Sequence, residues 1–201
     1  MDEKRRLILE QALALADEQG LAAVSMRAVA RRIGLTSMAL YPYVGSKQAV
    51  LDGLVDVLLA ELLAPASAGE GDWRYRLRTV GRAHRALATA HPGAYPLLSL
   101  RPSDSGETPR LTELVYAALL AARVPDREVP RLERLISVVL LGYGTAEATG
   151  RFAGGAAPPT DADLPAHRRL GGRLIVDVDR DIEFEAALND LVRLVESHAA
   201  R

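Results

Sequence analysis

Residues 25–51 read SMRAVARRIGLTSMALYPYVGSKQAVL, and the order of caps, apolar positions and glycine within them decides the fold. Ser25 can accept a backbone N–H at a helix start, and Val29, Ala30 and Ile33 give a short helix, 26–33, one apolar face. Gly34 supplies the left-handed backbone of a turn. Leu35 is expected to plug the corner, Thr36 to cap a second helix beginning at Ser37, and Leu40 to anchor that helix inward. Ser46 caps the next helix, in which Leu51, Leu54, Val55, Leu58 and Leu62 form an apolar stripe. A helix, a glycine turn and a second short helix within about 20 residues have the dimensions of a helix-turn-helix. Ser37, Met38, Ala39, Tyr41 and Tyr43 fall in or near its exposed surface, and the small ones let a helix sink into a major groove about 12 Å wide.

Outward from this stretch the pattern stays helical. A first helix, 4–19, carries Ile8, Ala12, Leu15 and Ala16 and stops at Gly20. Residues 64–71 (APASAGEG) read as a linker. Helices follow over 72–90 and 94–100, then a loop over 101–107. Thr108 and Pro109 open a helix to about Arg123. Another spans 126–152, with Leu132, Leu135, Ile136, Val139 and Tyr143 assigned to one face. Residues 153–165 are flexible by composition, and a last helix over 179–199 aligns Phe184, Leu188, Leu191, Val192 and Val195. The fold class is all-α: an N-terminal helix-turn-helix domain, 1–50, joined through a connecting helix to a helical domain, 51–201.

Composition narrows the chemistry. The chain has 201 residues, 49% of them apolar, which is enough for a sizeable core. It has no cysteine, which removes disulfides, thiolate zinc sites and cysteine nucleophiles. No apolar run reaches the roughly 18 residues of a membrane span, and Glu10, Asp17 and Glu18 interrupt any signal-like segment, so a soluble, cytoplasmic protein is expected. Net charge is −1, yet residues 1–51 hold seven Lys/Arg against five Asp/Glu, while the rest hold 18 against 21. That asymmetry is mild. Only Lys4 and Lys47 are lysine, and base composition explains the arginine bias.

The segment resembles the TetR family of bacterial transcriptional repressors, on Ser25, Arg27, Val29, Ala30, Ile33-Gly34-Leu35, Leu40-Tyr41, Val44, Ser46-Lys47 and Leu51. The resemblance implies a recognition helix from Ser37 to Tyr43, near whose exposed surface Tyr41 also falls. Ser37, Met38, Ala39 and Pro42 would face bases. Ser25, Arg27, Thr36, Tyr43 and Lys47 would hold phosphates of a double-stranded operator. Pro42 departs from an uninterrupted helix and predicts a kink or stop near Tyr41. The resemblance further implies a homodimer built on the last two long helices, and two-fold symmetry a palindromic operator with half-sites about 34–36 Å apart or a multiple.

A small-molecule effector is the expected signal, and Trp73, His84, His91, Tyr95, Tyr116, Tyr143 and Phe152 are candidate pocket residues because aromatics are scarce, 4% of the chain. Control by a protein partner, or constitutive DNA binding, is the alternative. Gly142, Gly144, Ala146 and Ala148 suit close helix approach within or between subunits. His84 and His91 could share a helix face, but no carboxylate pattern completes a metal site, and no cofactor motif is present. Gly142-Tyr143-Gly144 follows no strand, and no nucleophile has a catalytic setting, so an enzyme is not expected.

Overall fold

Short polar side chains open the helices where the sequence places them. Asp2, Ser25, Ser46, Asp72 and Asp179 accept backbone N–H groups of Lys4, Ala28, Ala49, Tyr75 and Asp181 at 2.9–3.2 Å. The computed structural model describes residues 2–67, 71–101, 106–152, 163–174 and 179–199. The helices are α1 (Glu3–Gln19), α2 (Met26–Arg32), α3 (Tyr41–Val44), α4 (Lys47–Ser67), α5 (Trp73–Ala90), α6 (Leu97–Leu100), α7 (Glu107–Ala121), α8 (Val129–Ala148), α9 (Pro165–Leu170) and α10 (Arg180–His198). Short 3₁₀ turns occupy Leu21–Ala23, Ser37–Leu40 and Gly171–Leu174, and no strand occurs among the described residues.

Several boundaries differ from the sequence reading. Helix α4 continues through Pro65 to Ser67, over the expected linker, and buries Leu62, Leu63 and Ala66. Packing of those side chains outweighs the lost backbone donor. The start of α7 at Glu107 puts Pro109 at its third residue, still in the first turn, where a missing N–H costs nothing. Helix α8 is shorter than expected at both ends. Its inward face is Val129, Leu132, Ile136 and Leu140, whereas Leu135 and Val139 are exposed. Of the segment expected to be flexible, 153–162 lie outside the described residues.

Helix α4 packs on α1 and α3 at one end and on α5, α6 and α7 elsewhere, while α5 also packs on α7 and α8. One apolar core therefore runs from Ile8 of α1 to Val195 of α10. The outer face of α5 carries an arginine ladder to α10: Arg74 pairs with Glu196, Arg78 with Asn189 and Arg82 with Glu185. Arg85 bridges Glu147 of α8 and Asp181 of α10, both at 2.8 Å. The ladder runs beside an apolar contact in which Leu188 of α10 lies directly on Gly81 of α5.

The turn between α5 and α6 is drawn onto the end of α1. Asp17 accepts from the backbone N–H groups of Gly93 and Ala94, both at 3.2 Å, and meets His91 Nδ1 at 2.7 Å. The other His91 nitrogen faces Glu61 of α4 at 3.1 Å. A Cβ at Gly93 would strike the Ala16 carbonyl oxygen, backbone against backbone. Gly93→Ala should thus lower the unfolding free energy by about 1–3 kcal/mol, the usual range for overpacking, as measured by urea denaturation. An unchanged midpoint would show that the two backbones are not held this close.

Behind that turn, Tyr95 is fully buried, and its hydroxyl meets His84 Nδ1 at 2.9 Å. Burial pushes the His84 pKa down to about 4 and holds the Tyr95 hydroxyl above its ordinary value. A histidine depressed on folding takes up its proton in the unfolded chain first. Its contribution is intact above about pH 6.5 and is lost as pH falls toward 4, a change on the order of 3 kcal/mol. Unfolding free energy should decline over that window in the native chain and much less in His84→Gln. Equal slopes would contradict a neutral buried imidazole.

Candidate DNA-binding face and internal cavity

The turn after α2 is set by Gly34 at φ 69°, and the Leu35 N–H closes it by donating to the Ala30 carbonyl at 2.9 Å. The corner is not plugged as expected. Leu35 is 43% exposed, and the apolar seat is made by the buried Val29, Ala30 and Leu40. Thr36 stands at the cap position in extended backbone, but its hydroxyl makes no capping bond. The expected recognition helix divides into the 3₁₀ turn Ser37–Leu40 and α3. Pro42, second residue of α3, therefore sits where no N–H is required. The proline marks a change of helix type and starts the second piece, instead of ending the first.

This face leaves Met38 73% exposed, the most exposed large apolar side chain among the described residues. Tyr41, Pro42, Thr36, Arg27 and Lys47 are also exposed, and Ser25, Ser37, Ala39 and Tyr43 are half-buried. Ser25 spends its oxygen on the α2 cap, which leaves its hydroxyl hydrogen to donate. No carboxylate among the described residues pairs with Arg27 or Lys47, whereas Arg32 is held by both oxygens of Glu18 at 2.7 Å. Two cations thus stay available near the α2 and α4 N-termini. Sequence reasoning missed Lys4, whose Nζ lies 5.3 Å from the Tyr43 ring centre on this side. Its neighbours in sequence are charged too, so nothing local singled it out.

A second candidate site lies in the helical body. A cavity of about 210 Å³ is lined by Val55 and Leu59 of α4, His84 of α5, Leu98 of α6 and Arg101 just after it, Thr108, Leu111 and Thr112 of α7, and Glu133, Ser137 and Leu141 of α8. The seven candidate pocket residues do not converge there. Only His84 lines this cavity. Trp73 lies half-buried beside the Arg74 guanidinium, 4.4 Å from its ring centre, and His91 is held in the α1–α5 clamp. Tyr95 is core, packed on Gly144, which accordingly serves a contact within the chain. Tyr116 is half-buried against the core. Tyr143 stacks at 5.1 Å on Phe152 and 5.2 Å on Phe184, on the α8–α10 side. Ring size was therefore a poor guide to the cavity. The better signal was Glu133, a carboxylate beside the apolar row Val129, Leu132, Ile136 and Leu140. Among the described residues, no cluster suits a metal ion. No described helix is long and apolar enough to cross a membrane.

Comparison with known proteins agrees with the all-α architecture. Residues 8–54 match the family described as bacterial regulatory proteins, tetR family, and residues 77–171 match the tetracyclin repressor-like C-terminal domain. The HTH-type transcriptional repressor DrrR1 of Streptomyces coeruleorubidus is 37% identical over 95 residues, 47% of this chain and 35% of the relative. An HTH-type transcriptional regulator of Saccharopolyspora erythraea is 31% identical over 144 residues, 72% of this chain and 61% of the relative. The chain thus matches between about one third and three fifths of these relatives' length. Two solved proteins share the fold. ActR from Streptomyces coelicolor in complex with actinorhodin superposes with a TM-score of 0.74 at 22% identity, covering 98% of both chains. BioQ with its double-stranded DNA operator superposes with a TM-score of 0.68 at 23% identity, covering 96% and 98%. The two matched segments, joined by the helix that packs on both, make this chain a member of the TetR family of transcriptional regulators.

Proposed function

We propose that this regulator is a repressor that binds a palindromic operator as a homodimer and is released when a small molecule fills the cavity between α4 and α8. The observation that carries the reading is Arg101. It lines the cavity, and its guanidinium donates to Asp52 at 3.0 and 2.6 Å and to Gln48 at 2.7 Å. Those two residues lie in the first turns of α4, immediately after Lys47. A ligand that displaces α6 therefore pulls directly on the helix start that flanks the exposed DNA face.

Ser37, Met38, Ala39 and Pro42 are assigned to bases, with Tyr41 alongside. Ser25, Arg27, Thr36, Tyr43 and Lys47 are assigned to phosphates, and Lys4 joins them through its place beside Tyr43. Base-facing groups are mostly apolar, so thymine methyl contacts and DNA shape carry much of the specificity. Exposed Leu135, Val138 and Val139 on α8 and Ile182 on α10 supply an apolar face for the second subunit. A cytoplasmic setting follows from chromosomal DNA as the partner. The relatives support the reading by what they are: a repressor, a regulator crystallised with a small molecule, and one crystallised on its operator.

Selection of bound fragments from random DNA tests this directly, and enrichment of a palindrome is the expected result. Lys47→Ala should weaken all bound sequences alike and reduce the salt slope by about one phosphate's worth, 0.9 in log–log units. A change of base preference would place Lys47 on a base instead. Val138→Glu should give a helical monomer in sedimentation with little operator binding. A dimer of unchanged affinity would remove α8 from the subunit interface.

A further inference from the structure

The cavity has a chemical bias. Its walls are largely aliphatic: Val55, Leu59, Leu98, Leu111 and Leu141. Into this setting α8 projects Glu133, only 9% exposed. Its Oε1 accepts one hydrogen bond, from the Ser137 hydroxyl at 2.8 Å. No cationic side chain among the described residues pairs with it. A buried carboxylate is costly to keep without an opposite charge.

The nearby basic groups do not supply that charge. All three nitrogens of the Arg101 guanidinium are engaged by Asp52 and Gln48. Burial holds the His84 ring neutral, and Tyr95 engages its Nδ1. A metal ion is poorly served as well, because Glu133, Ser137 and two threonines stand among five aliphatic side chains, far short of the six to eight oxygens a calcium ion takes.

The geometry points to a small organic cation as the ligand: an ammonium group seated on Glu133 and Ser137, with an apolar body against Leu59, Leu98, Leu111 and Leu141. The volume, about 210 Å³, is below the roughly 300–1,000 Å³ of sites for drug-sized ligands, so the body is a single ring or a short chain. Thr112, also on the wall, offers a hydroxyl for a second polar group of the ligand. This inference rests on the reading of the cavity as the effector site.

Three probes of one size and different charge separate the possibilities: benzylammonium, benzyl alcohol and benzoate, titrated calorimetrically into the full chain. Benzylammonium should bind at least about tenfold more tightly than the other two, since the other two leave the carboxylate unpaired or repelled. Glu133→Gln, nearly identical in shape, should erase that preference while keeping the helical spectrum of the native chain. Equal binding of the three probes, preference for benzoate, no binding of benzylammonium, or an unchanged preference in Glu133→Gln would each overturn the assignment. The three-probe comparison in the native chain stands even if the variant does not fold. Release of selected operator DNA, measured with the same probes, keeps the two readings apart. Benzylammonium that binds at Glu133 without releasing DNA would leave the cation site standing and remove the switch. Benzyl alcohol or benzoate that releases DNA would do the reverse.

Discussion

Helix α4 buries Val50, Gly53, Leu54, Val55, Leu58, Leu59, Leu62, Leu63 and Ala66 against elements on both sides of the molecule, so neither of its ends can shift without repacking the other. At its N-terminal end, Gly53 sits close under Leu9 of α1, where a Cβ would come within 2.8 Å of that side chain. Farther along, Val55 and Leu59 form part of the cavity wall. Each fully buried Leu or Val contributes roughly 1.5–3 kcal/mol, and a core packed this tightly transmits displacement instead of absorbing it. The expected boundary between residues 50 and 51 falls inside this continuous helix. The DNA face and the cavity therefore share one rigid wall.

Two polar tethers flank that wall. Asp17, His91 and Glu61 tie α1 and α4 to the turn after α5, and Arg101 ties the end of α6 to Gln48 and Asp52. Both are partly exposed, and such pairs contribute only about 0–1 kcal/mol each to stability. Their role is geometric. In the proposed switch they would set which way the head faces, while the apolar core drives folding. Weak tethers would suit this task, because a ligand of modest affinity has enough free energy to rearrange them.

What could be read from the sequence was local. Ser25 and Ser46 cap helices because a short polar side chain acts within three residues of itself, and Gly34 forms the turn for an equally local reason. The motif, the all-α class and the family follow from such features. Pro65 misled because the burial of Leu62, Leu63 and Ala66, set by distant helices, overrides its local cost. Leu35 misled because apolar character does not say which way a turn points its side chain. The α5 arginines, ascribed to base composition, form a ladder that becomes visible only once α10 is laid beside them. The cavity was least legible of all. It is space left between five helices, and no periodicity encodes an absence.

Helix α8 shows how that space connects to the rest of the molecule. At 3.6 residues per turn, Leu132, Ile136 and Leu140 face the core; Glu133, Ser137 and Leu141 face the cavity; and Leu135, Val138 and Val139 face outward. These three rows are fixed to one backbone. A ligand that turned α8 about its axis would rotate the outer row by the same angle. If that outer row is where the second subunit sits, occupancy of the cavity is felt at the two-fold axis as directly as it is felt through α4 at the DNA face. In the proposed dimer the spacing of the two DNA heads would depend on both. In the proposed switch a small cavity with one buried carboxylate would control a much larger separation, because two of the five helices that wall it, α4 and α8, also carry the residues beside the candidate DNA face and the exposed apolar row.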